Sequence, residues 1–178
     1  MHSLPSLTVT LAHTIRTPWL TTPVVALGTV PSGRGTPQLF GCVARGDRPL
    51  ARLDIYGDPG SESYFQSKAL TWQDNIVVGF GWHVYIVSST TLGCVDIDLP
   101  SYFQTLQVTP DYALAVFGSG ILRFDCRGTV IWENAALAID GIRIDRIEGD
   151  EISGSGEWDP PGGWRPFAIS LADGRNHG

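Results

Sequence analysis

The feature that most constrains the fold of this chain is an internal recurrence. Four segments share one form: an apolar strand, a tight polar turn and a second apolar strand. A glycine occupies the late turn of each segment, at Gly46, Gly93, Gly128 and Gly174, and the intervals between these glycines are 47, 35 and 46 residues. Self-similarity at such intervals indicates an architecture built from repeated supersecondary units.

The repeated unit reads as an antiparallel hairpin, because short apolar runs are separated by turns rich in Gly, Asp and Ser. A four-stranded propeller blade takes roughly 40–45 residues, and the observed intervals bracket that length. The sequence therefore predicts an all-β fold of antiparallel meander units, a small four-bladed or incomplete β-propeller, with a β-sandwich of the same hairpins as the alternative. The predicted strands are Leu39–Ala44 and Leu50–Ile55, Ile76–Val87 and Cys94–Leu99, Leu114–Phe117, Ile121–Phe124 and Thr129–Trp132, and Glu151–Glu157 and Arg165–Leu171.

The fourth segment ends at its turn and lacks a returning strand. Residues Leu7–Leu11 alternate apolar and polar side chains, the period-2 pattern of a half-buried strand. We expect this strand to pair with the fourth segment, closing a ring and covering a sheet edge; an open meander is the alternative. Residues Ser61–Leu70 have no clear apolar stripe and are interpreted as a loop or one short turn.

Composition agrees with β structure. The 178 residues include 21 Gly and 12 Pro, and 17% are charged, against roughly 25% in typical soluble domains. The hydrophobic fraction of 43% is enough for a sizeable core. The length corresponds to one domain, so we expect a single all-β domain over residues 1–178.

One segment carries a family resemblance. In residues 121–132 Asp125 opens a turn, Gly128 closes it and Trp132 follows four residues later. This pattern resembles the strand–turn–strand repeat of WD-like and quinoprotein-type β-propellers, with a turn that is one residue shorter. The resemblance implies a propeller-like fold. It implies no activity, because fold does not fix function and no quinone or metal site accompanies it.

The charge is acidic and unevenly distributed. The formal net charge is −6, which disfavours a nucleic-acid-binding surface. Residues 1–95 carry six basic and five acidic groups, whereas residues 96–178 carry six basic and thirteen acidic groups. The acidic C-terminal half would attract a basic protein partner, or would simply keep the protein soluble.

The cysteines and the N-terminal sequence bear on localisation. Cys42, Cys94 and Cys126 cannot all pair within one chain, so free thiols in a reducing compartment are expected. The sequence shows neither a signal-peptide pattern nor 18 consecutive apolar residues. We therefore expect a cytoplasmic protein that does not associate with membranes.

The second hairpin places a histidine beside two carboxylates. If Val87 faces Cys94, the register puts His83 opposite Asp98 and Tyr85 opposite Asp96, on one polar sheet face. A histidine held by a carboxylate can act as a base or as a pH-sensitive contact. No activated nucleophile is identifiable beside it, since the cysteines lack a recognisable reactive pattern. The structural interpretation is a stabilising cross-strand pair.

The last segment combines acidic and aromatic side chains. Trp158 and Trp164 flank a Pro- and Gly-rich loop, and aromatic residues on ordered loops are efficient anchors for proteins or sugars. The alternative is that both rings fold down as plugs over the sheet. The acidic spacing fits no EF-hand, so no metal site is predicted. The candidate partner-binding residues are Asp150, Glu151, Glu157, Trp158, Asp159 and Trp164.

These observations favour a non-enzymatic protein-interaction module with no cofactor and no catalytic residues. Size, charge and the absence of a catalytic motif also resemble those of bacterial immunity proteins, which neutralise a cognate toxin; this resemblance implies a toxin as the partner. The first alternative is a carbohydrate or small-ligand binding protein that uses the tryptophans and the His83 face. The second is a hydrolase that uses paired carboxylates, whose spacing cannot be obtained from sequence.

Overall fold

The first sheet is formed by the N-terminal third of the chain. A computed structural model describes residues 5–33, 35–57 and 66–177. The first four strands form a sheet in the order β1-β3-β4-β2, and a short 3₁₀ turn, Trp19–Thr21, lies between β1 and β2. The strands are β1 (Leu7–Ala12), β2 (Val24–Leu27), β3 (Leu39–Arg45) and β4 (Arg48–Ile55).

The rest of the chain forms three antiparallel meanders in sequence order. Each pairs strands that follow one another directly, as the recurrence of hairpins predicts. The second sheet contains β5 (Lys68–Trp72), β6 (Asn75–Phe80), β7 (His83–Ser88) and β8 (Cys94–Asp98); the third contains β9 (Phe103–Val108), β10 (Ala113–Phe117), β11 (Gly120–Phe124) and β12 (Val130–Asn134); the fourth contains β13 (Ile142–Glu148), β14 (Glu151–Glu157) and β15 (Trp164–Ser170).

The four sheets stack in sequence order around three buried clusters. Successive residues of a strand point to opposite faces, so Val78 packs toward the first sheet while Val77 packs toward the third. A third cluster, which includes Leu114 and Ile152, joins the third and fourth sheets. Within the described ranges no buried cluster joins the fourth sheet to the first. The prediction of an all-β, propeller-like fold is confirmed: within the described residues, four sheets of three or four strands pack in sequence order.

The strand predicted to close the ring pairs elsewhere. Strand β1 lies beside β3 of the first sheet, with Leu7 opposite Arg45. The fourth sheet instead uses the chain that follows it: Gly174, with a φ of +72°, turns the backbone back so that Asn176 forms a bridge with Ile169. The hypothesis that Leu7–Leu11 completes the fourth segment was wrong: these residues belong to β1 of the first sheet, and Asn176 takes the bridge position beside β15.

Three further strand predictions are corrected. The run Ile76–Val87 is two strands, β6 and β7, because Gly81 takes a φ of +61° and reverses the chain. Strand β2 pairs with β4 in parallel, so the first sheet is not a meander. Residues 68–70 of the presumed loop Ser61–Leu70 belong to β5, and residues 61–65 lie outside the described residues.

The residues that carry the family resemblance form a hydrogen-bonded turn and a hydrogen bond between the third and fourth sheets. The Asp125 carboxylate accepts hydrogen bonds from the backbone N–H groups of Arg127 and Thr129, both at 2.9 Å. Burial acts to raise the pKa of Asp125, but these bonds outweigh it and hold the pKa below its usual value. The buried Trp132 donates from Nε1 to the Leu171 carbonyl at 2.8 Å, which ties the third sheet to the fourth. Of the described residues, none belongs to a helix with the length and apolarity needed to cross a bilayer.

Candidate functional site

One end of the second, third and fourth sheets gathers the turns and connections that carry exposed aromatic and acidic side chains. We call it the connector end, defined by Gly81, Tyr102, Gly118, Gly141 and Glu157. The Phe103 N–H donates to the Gly81 carbonyl in the β6–β7 turn. The Gly118 N–H donates to the carbonyl of Tyr102, which lies in the connection between the second and third sheets. Gly141 N–H donates to Gly118, and Glu157 N–H donates to Gly141. These backbone bonds link the three sheets at one surface.

Six residues at the connector end form what we call the Trp164 cluster. The Tyr102 hydroxyl donates to the Asp140 carboxylate, and the backbone N–H groups of Ile139 and Asp140 both donate to the Glu157 carbonyl. A Cβ built on Gly141 would lie 3.4 Å from both the Glu157 carboxylate and the Trp164 ring, so the ring and the carboxylate face the same glycine. The cluster consists of Tyr102, Ile139, Asp140, Glu157, Trp158 and Trp164.

The two tryptophans of this cluster differ in exposure. Trp164 is 49% exposed and Ile139 is 60% exposed, so two large apolar side chains of the cluster face solvent. Trp158 is half-buried, and the Arg165 guanidinium lies 5.4 Å from its ring centroid. The loop between the tryptophans is closed by Gly162 N–H, which donates to the Glu157 carboxylate. Trp164 is therefore exposed enough to contact another molecule, whereas Trp158 packs within the loop.

The electrostatics of the cluster favour a neutral tyrosine. Burial, the hydrogen bond to Asp140 and the charges of Asp140 and Glu157 raise the pKa of Tyr102 to about 12, against an opposing bond involving Gln104. The hydroxyl therefore remains protonated at neutral pH and donates to Asp140. Cation-attracting potential at this surface comes from the Asp140 and Glu157 carboxylates.

The six residues predicted to bind a partner lie at two opposite ends of the fourth sheet. Glu157, Trp158, Asp159 and Trp164 lie at the connector end, whereas Asp150 and Glu151 lie at the β13–β14 turn. Six residue steps along β14 place Glu151 about 20 Å from Glu157, since a strand rises about 3.4 Å per residue. That distance is too long for the paired carboxylates of glycoside hydrolysis.

Both distal carboxylates are engaged locally. The Asp150 carboxylate accepts a hydrogen bond from the Ser170 hydroxyl at 2.9 Å, and Glu151 lies 3.9 Å from the Arg146 guanidinium. Asp159 is exposed in the loop of the connector end. Sequence analysis missed Tyr102, Ile139 and Asp140, which come from two inter-sheet connections. The Asp140–Gly141 dipeptide is a turn signal, but only the fold brings it to Trp164.

A second polar group lies at the edge of the second sheet. The predicted register is confirmed: His83 faces Asp98 and Tyr85 faces Asp96. The distances from His83 Nδ1 to Asp96 Oδ1 and to Asp98 Oδ1 are 3.0 and 3.1 Å. The expectation of a polar face that includes Tyr85 was wrong, because Tyr85 is 1% exposed and packs with Val78 and Val87 against the first sheet.

The three cysteines, all within the described residues, carry free thiols. Burial and the neighbouring Asp96 raise the pKa of the Cys94 thiol to about 11, although its residue is exposed. Burial also raises the pKa of Cys42, against the opposing charge of Arg52. A raised pKa lowers the thiolate population, so these two positions are poor nucleophiles.

Comparison with solved structures gives one match that supports the propeller-like fold. The chain is similar to BamB from Moraxella catarrhalis, a β-propeller, with a TM-score of 0.52 and 10% identity, over 98% of this chain and 51% of that one. The N-terminal domain of Nup159 aligns with a TM-score of 0.46 and 8% identity, over 97% of this chain and 50% of that one. This chain thus spans about half the length of the structures that it matches. No protein-family model and no curated protein sequence matches the chain.

Proposed function

We propose that this chain acts by binding another protein through the Trp164 cluster at the connector end. The observation that carries the proposal is that two exposed apolar side chains, Trp164 and Ile139, come from segments that both adjoin Glu157. An aromatic side chain buries a large area at small entropic cost when it enters a partner's pocket. Neighbouring carboxylates then select the partner's orientation.

The chemistry of this surface fits a partner that presents basic side chains around an apolar pocket. Residues 96–178 carry thirteen acidic and six basic groups, so the field around the third and fourth sheets attracts cations. Association with such a partner would be accelerated at low salt and slowed as salt screens the charges.

A narrower form of the proposal is a cytoplasmic immunity protein that covers the active site of a cognate toxin. Its support is the small size of the chain, its acidic charge and a binding surface made of connections on a β scaffold. The identity of the captured partner separates this form from the broader one.

The test compares baits in the native cell. Tagged wild-type protein is expected to retain one protein at near-stoichiometric amounts, and Trp164→Ala is expected to lose it, because removal of a central aromatic anchor typically costs about 2 kcal/mol or more, roughly thirtyfold in affinity. Glu157→Gln is expected to slow association at low salt. Leu20→Ala removes an exposed apolar side chain from the first-sheet region and serves as the control.

The charge control comes from the distal end of the same sheet. Asp150→Asn and Glu151→Gln each remove one carboxylate about 20 Å from the cluster, and both baits are expected to retain the partner. Equal retention by Trp164→Ala and wild-type protein would reject the proposed surface. Loss in the distal variants alone would move the binding site to the β13–β14 turn.

Carbohydrate binding is the second candidate, favoured by the shared position of the Trp164 ring and the Glu157 carboxylate over Gly141. An aromatic face can stack on a sugar ring while a carboxylate accepts hydrogen bonds from its hydroxyls. Binding of purified protein to a glycan array, abolished by Trp164→Ala, together with no captured protein, would favour this candidate over the first.

A further inference from the structure

We propose that His83, Asp96 and Asp98 form a binding site for a divalent transition-metal ion of the Zn²⁺ class. The three side chains contribute one nitrogen and two oxygens from adjacent antiparallel strands, β7 and β8. The site is separate from the Trp164 cluster, and the inference does not rest on the proposed protein-binding function.

The separations of the donor atoms match a coordination shell. The His83 Nδ1 atom lies 3.0 Å from Asp96 Oδ1 and 3.1 Å from Asp98 Oδ1, and the three ligand atoms lie within 4.8 Å of one another. Bonds of about 2.0–2.2 Å to Zn²⁺ place tetrahedral ligand atoms roughly 3.3 Å apart. A small change of side-chain torsions therefore brings all three atoms onto one ion.

The two carboxylates beside His83 also favour binding of a cation. Two carboxylates and one imidazole nitrogen form the donor set, and a single Nδ1 atom faces both carboxylate oxygens. One nitrogen-bound proton donates one strong hydrogen bond at a time, so the second carboxylate relies on solvent for its hydrogen bonds. A divalent ion neutralises both carboxylates and accepts the imidazole lone pair at the same time.

The histidine is held in place before any ion binds. Its ring stacks on Tyr85 with centroids 5.4 Å apart and planes 20° from parallel, and Tyr85 is buried in the core between the first and second sheets. Asp98 has a side chain that is 91% exposed, so the outward side of the group faces solvent. The arrangement resembles sites with three protein ligands and an open position for water or for a donor from another molecule.

The donor set selects the class of metal. Ca²⁺ and Mg²⁺ favour shells made of oxygen ligands, whereas imidazole nitrogen suits Zn²⁺ and its neighbours Co²⁺ and Ni²⁺. We therefore expect Zn²⁺ and Co²⁺ to bind at one equivalent in the presence of millimolar Mg²⁺.

The test uses the full chain after treatment with a chelator and dialysis. Titration with Co²⁺ is expected to give visible ligand-field absorption that saturates at one equivalent and is displaced by Zn²⁺. Isothermal titration with Zn²⁺ supplies the affinity. His83→Gln, Asp96→Asn and Asp98→Asn each remove one donor and are each expected to weaken Zn²⁺ binding by tenfold or more, since even the loss of an outer-shell partner of a metal ligand typically costs 10–100-fold.

The control variants remove the same groups elsewhere. Asp173→Asn and His177→Gln delete an exposed carboxylate and an exposed imidazole near the C-terminus, and both are expected to bind Zn²⁺ like wild-type protein. Asp98→Asn is the decisive variant because its side chain is almost fully exposed, so its circular-dichroism spectrum and thermal unfolding without metal are expected to match wild type. Absence of a one-equivalent site in wild-type protein, or undiminished binding by Asp98→Asn, would overturn the proposal.

Discussion

The second and fourth sheets share a meander topology but differ in how they are buried. The second sheet lies between two neighbours, so both faces of β6 are in the core: Ile76 and Val78 pack toward the first sheet and Val77 toward the third. Within the described part of the chain, the fourth sheet packs on one side, around Ile152 and Ile169. Its other face carries charged side chains of β13 that are exposed to solvent.

This difference explains how each polar group is positioned. His83 is fixed by strand register and by stacking on a buried tyrosine, so its geometry is a property of the core. Trp164 stands at the start of an exposed strand, after a Pro- and Gly-rich loop, and its neighbours come from connections between sheets. A site on packed strands suits exact coordination distances, whereas a site on connections suits an adaptable contact surface.

The largest expected effect tests the difference in burial directly. Phe103→Ala is expected to lower the free energy of unfolding by about 3–5 kcal/mol, because the ring is fully buried against Gly79 between the second and third sheets. Phe167→Ala, the same change at a half-buried position of the fourth sheet, is expected to cost about 1–2 kcal/mol. Urea denaturation with comparison of m-values measures both. Equal losses would mean that the fourth sheet is as fully packed as the second.

Much of the fold could be predicted because hairpins and turns are determined by residues that are close in sequence. The register of β7 and β8 follows from placing Val87 opposite Cys94 across a short turn, and the turn at Asp125 follows from residue types at fixed spacing. The parallel partner of β2 could not be predicted, because a four-residue apolar run fits many edges. The first residues of β13 do alternate between apolar and charged side chains, a pattern that predicts a strand.

The Trp164 cluster was less predictable, since it combines segments distant in sequence. Residue types at the last hairpin pointed to Trp164 and Glu157, but their neighbours Tyr102 and Asp140 are placed by backbone bonds between sheets. The predicted acidic residues do not form one surface, because Glu151 and Glu157 stand at opposite ends of β14. At His83 the register placed both carboxylates correctly. The shared distance of about 3 Å from one nitrogen required coordinates.

The next prediction concerns ionisation at the connector end. Burial, the Asp140 hydrogen bond and the charges of Asp140 and Glu157 raise the pKa of Tyr102 from 10.0 to about 12. A raised pKa in the folded protein contributes stability below pH 10, and that contribution is lost as the pH rises from 10 toward 12. Asp140→Asn is expected to lower the pKa of Tyr102. The difference in absorbance at 295 nm between each protein and its Tyr102→Phe derivative isolates this titration.

Asp111→Asn serves as the control for this titration, because it removes an exposed carboxylate at the β9–β10 turn. The Tyr102 pKa in this variant is expected to equal that of wild type. An unchanged pKa in Asp140→Asn would mean that Asp140 does not contribute to the Tyr102 titration, which would remove the electrostatic link within the Trp164 cluster.

The smallest expected effects on stability come from removing one exposed carboxylate from the second sheet or one from the fourth. Asp98 lies beside His83, and Glu148 lies 2.8 Å from the Arg146 guanidinium. Exposed ion pairs contribute about 0–1 kcal/mol, so Asp98→Asn and Glu148→Gln are each expected to change the unfolding free energy of metal-free protein by less than about 1 kcal/mol. Denaturation without metal therefore cannot distinguish the two carboxylates.

Added Zn²⁺ separates these two variants. Our proposal places Asp98 in a metal site and Glu148 in a solvated ion pair. An ion that binds only the folded chain stabilises it by about 2.7 kcal/mol at a hundredfold excess over its dissociation constant. Wild-type protein and Glu148→Gln are expected to gain this stability at the same Zn²⁺ concentration, and Asp98→Asn to gain much less. A gain in Asp98→Asn equal to that of wild type would mean that strand register brings these donors together without making them a site.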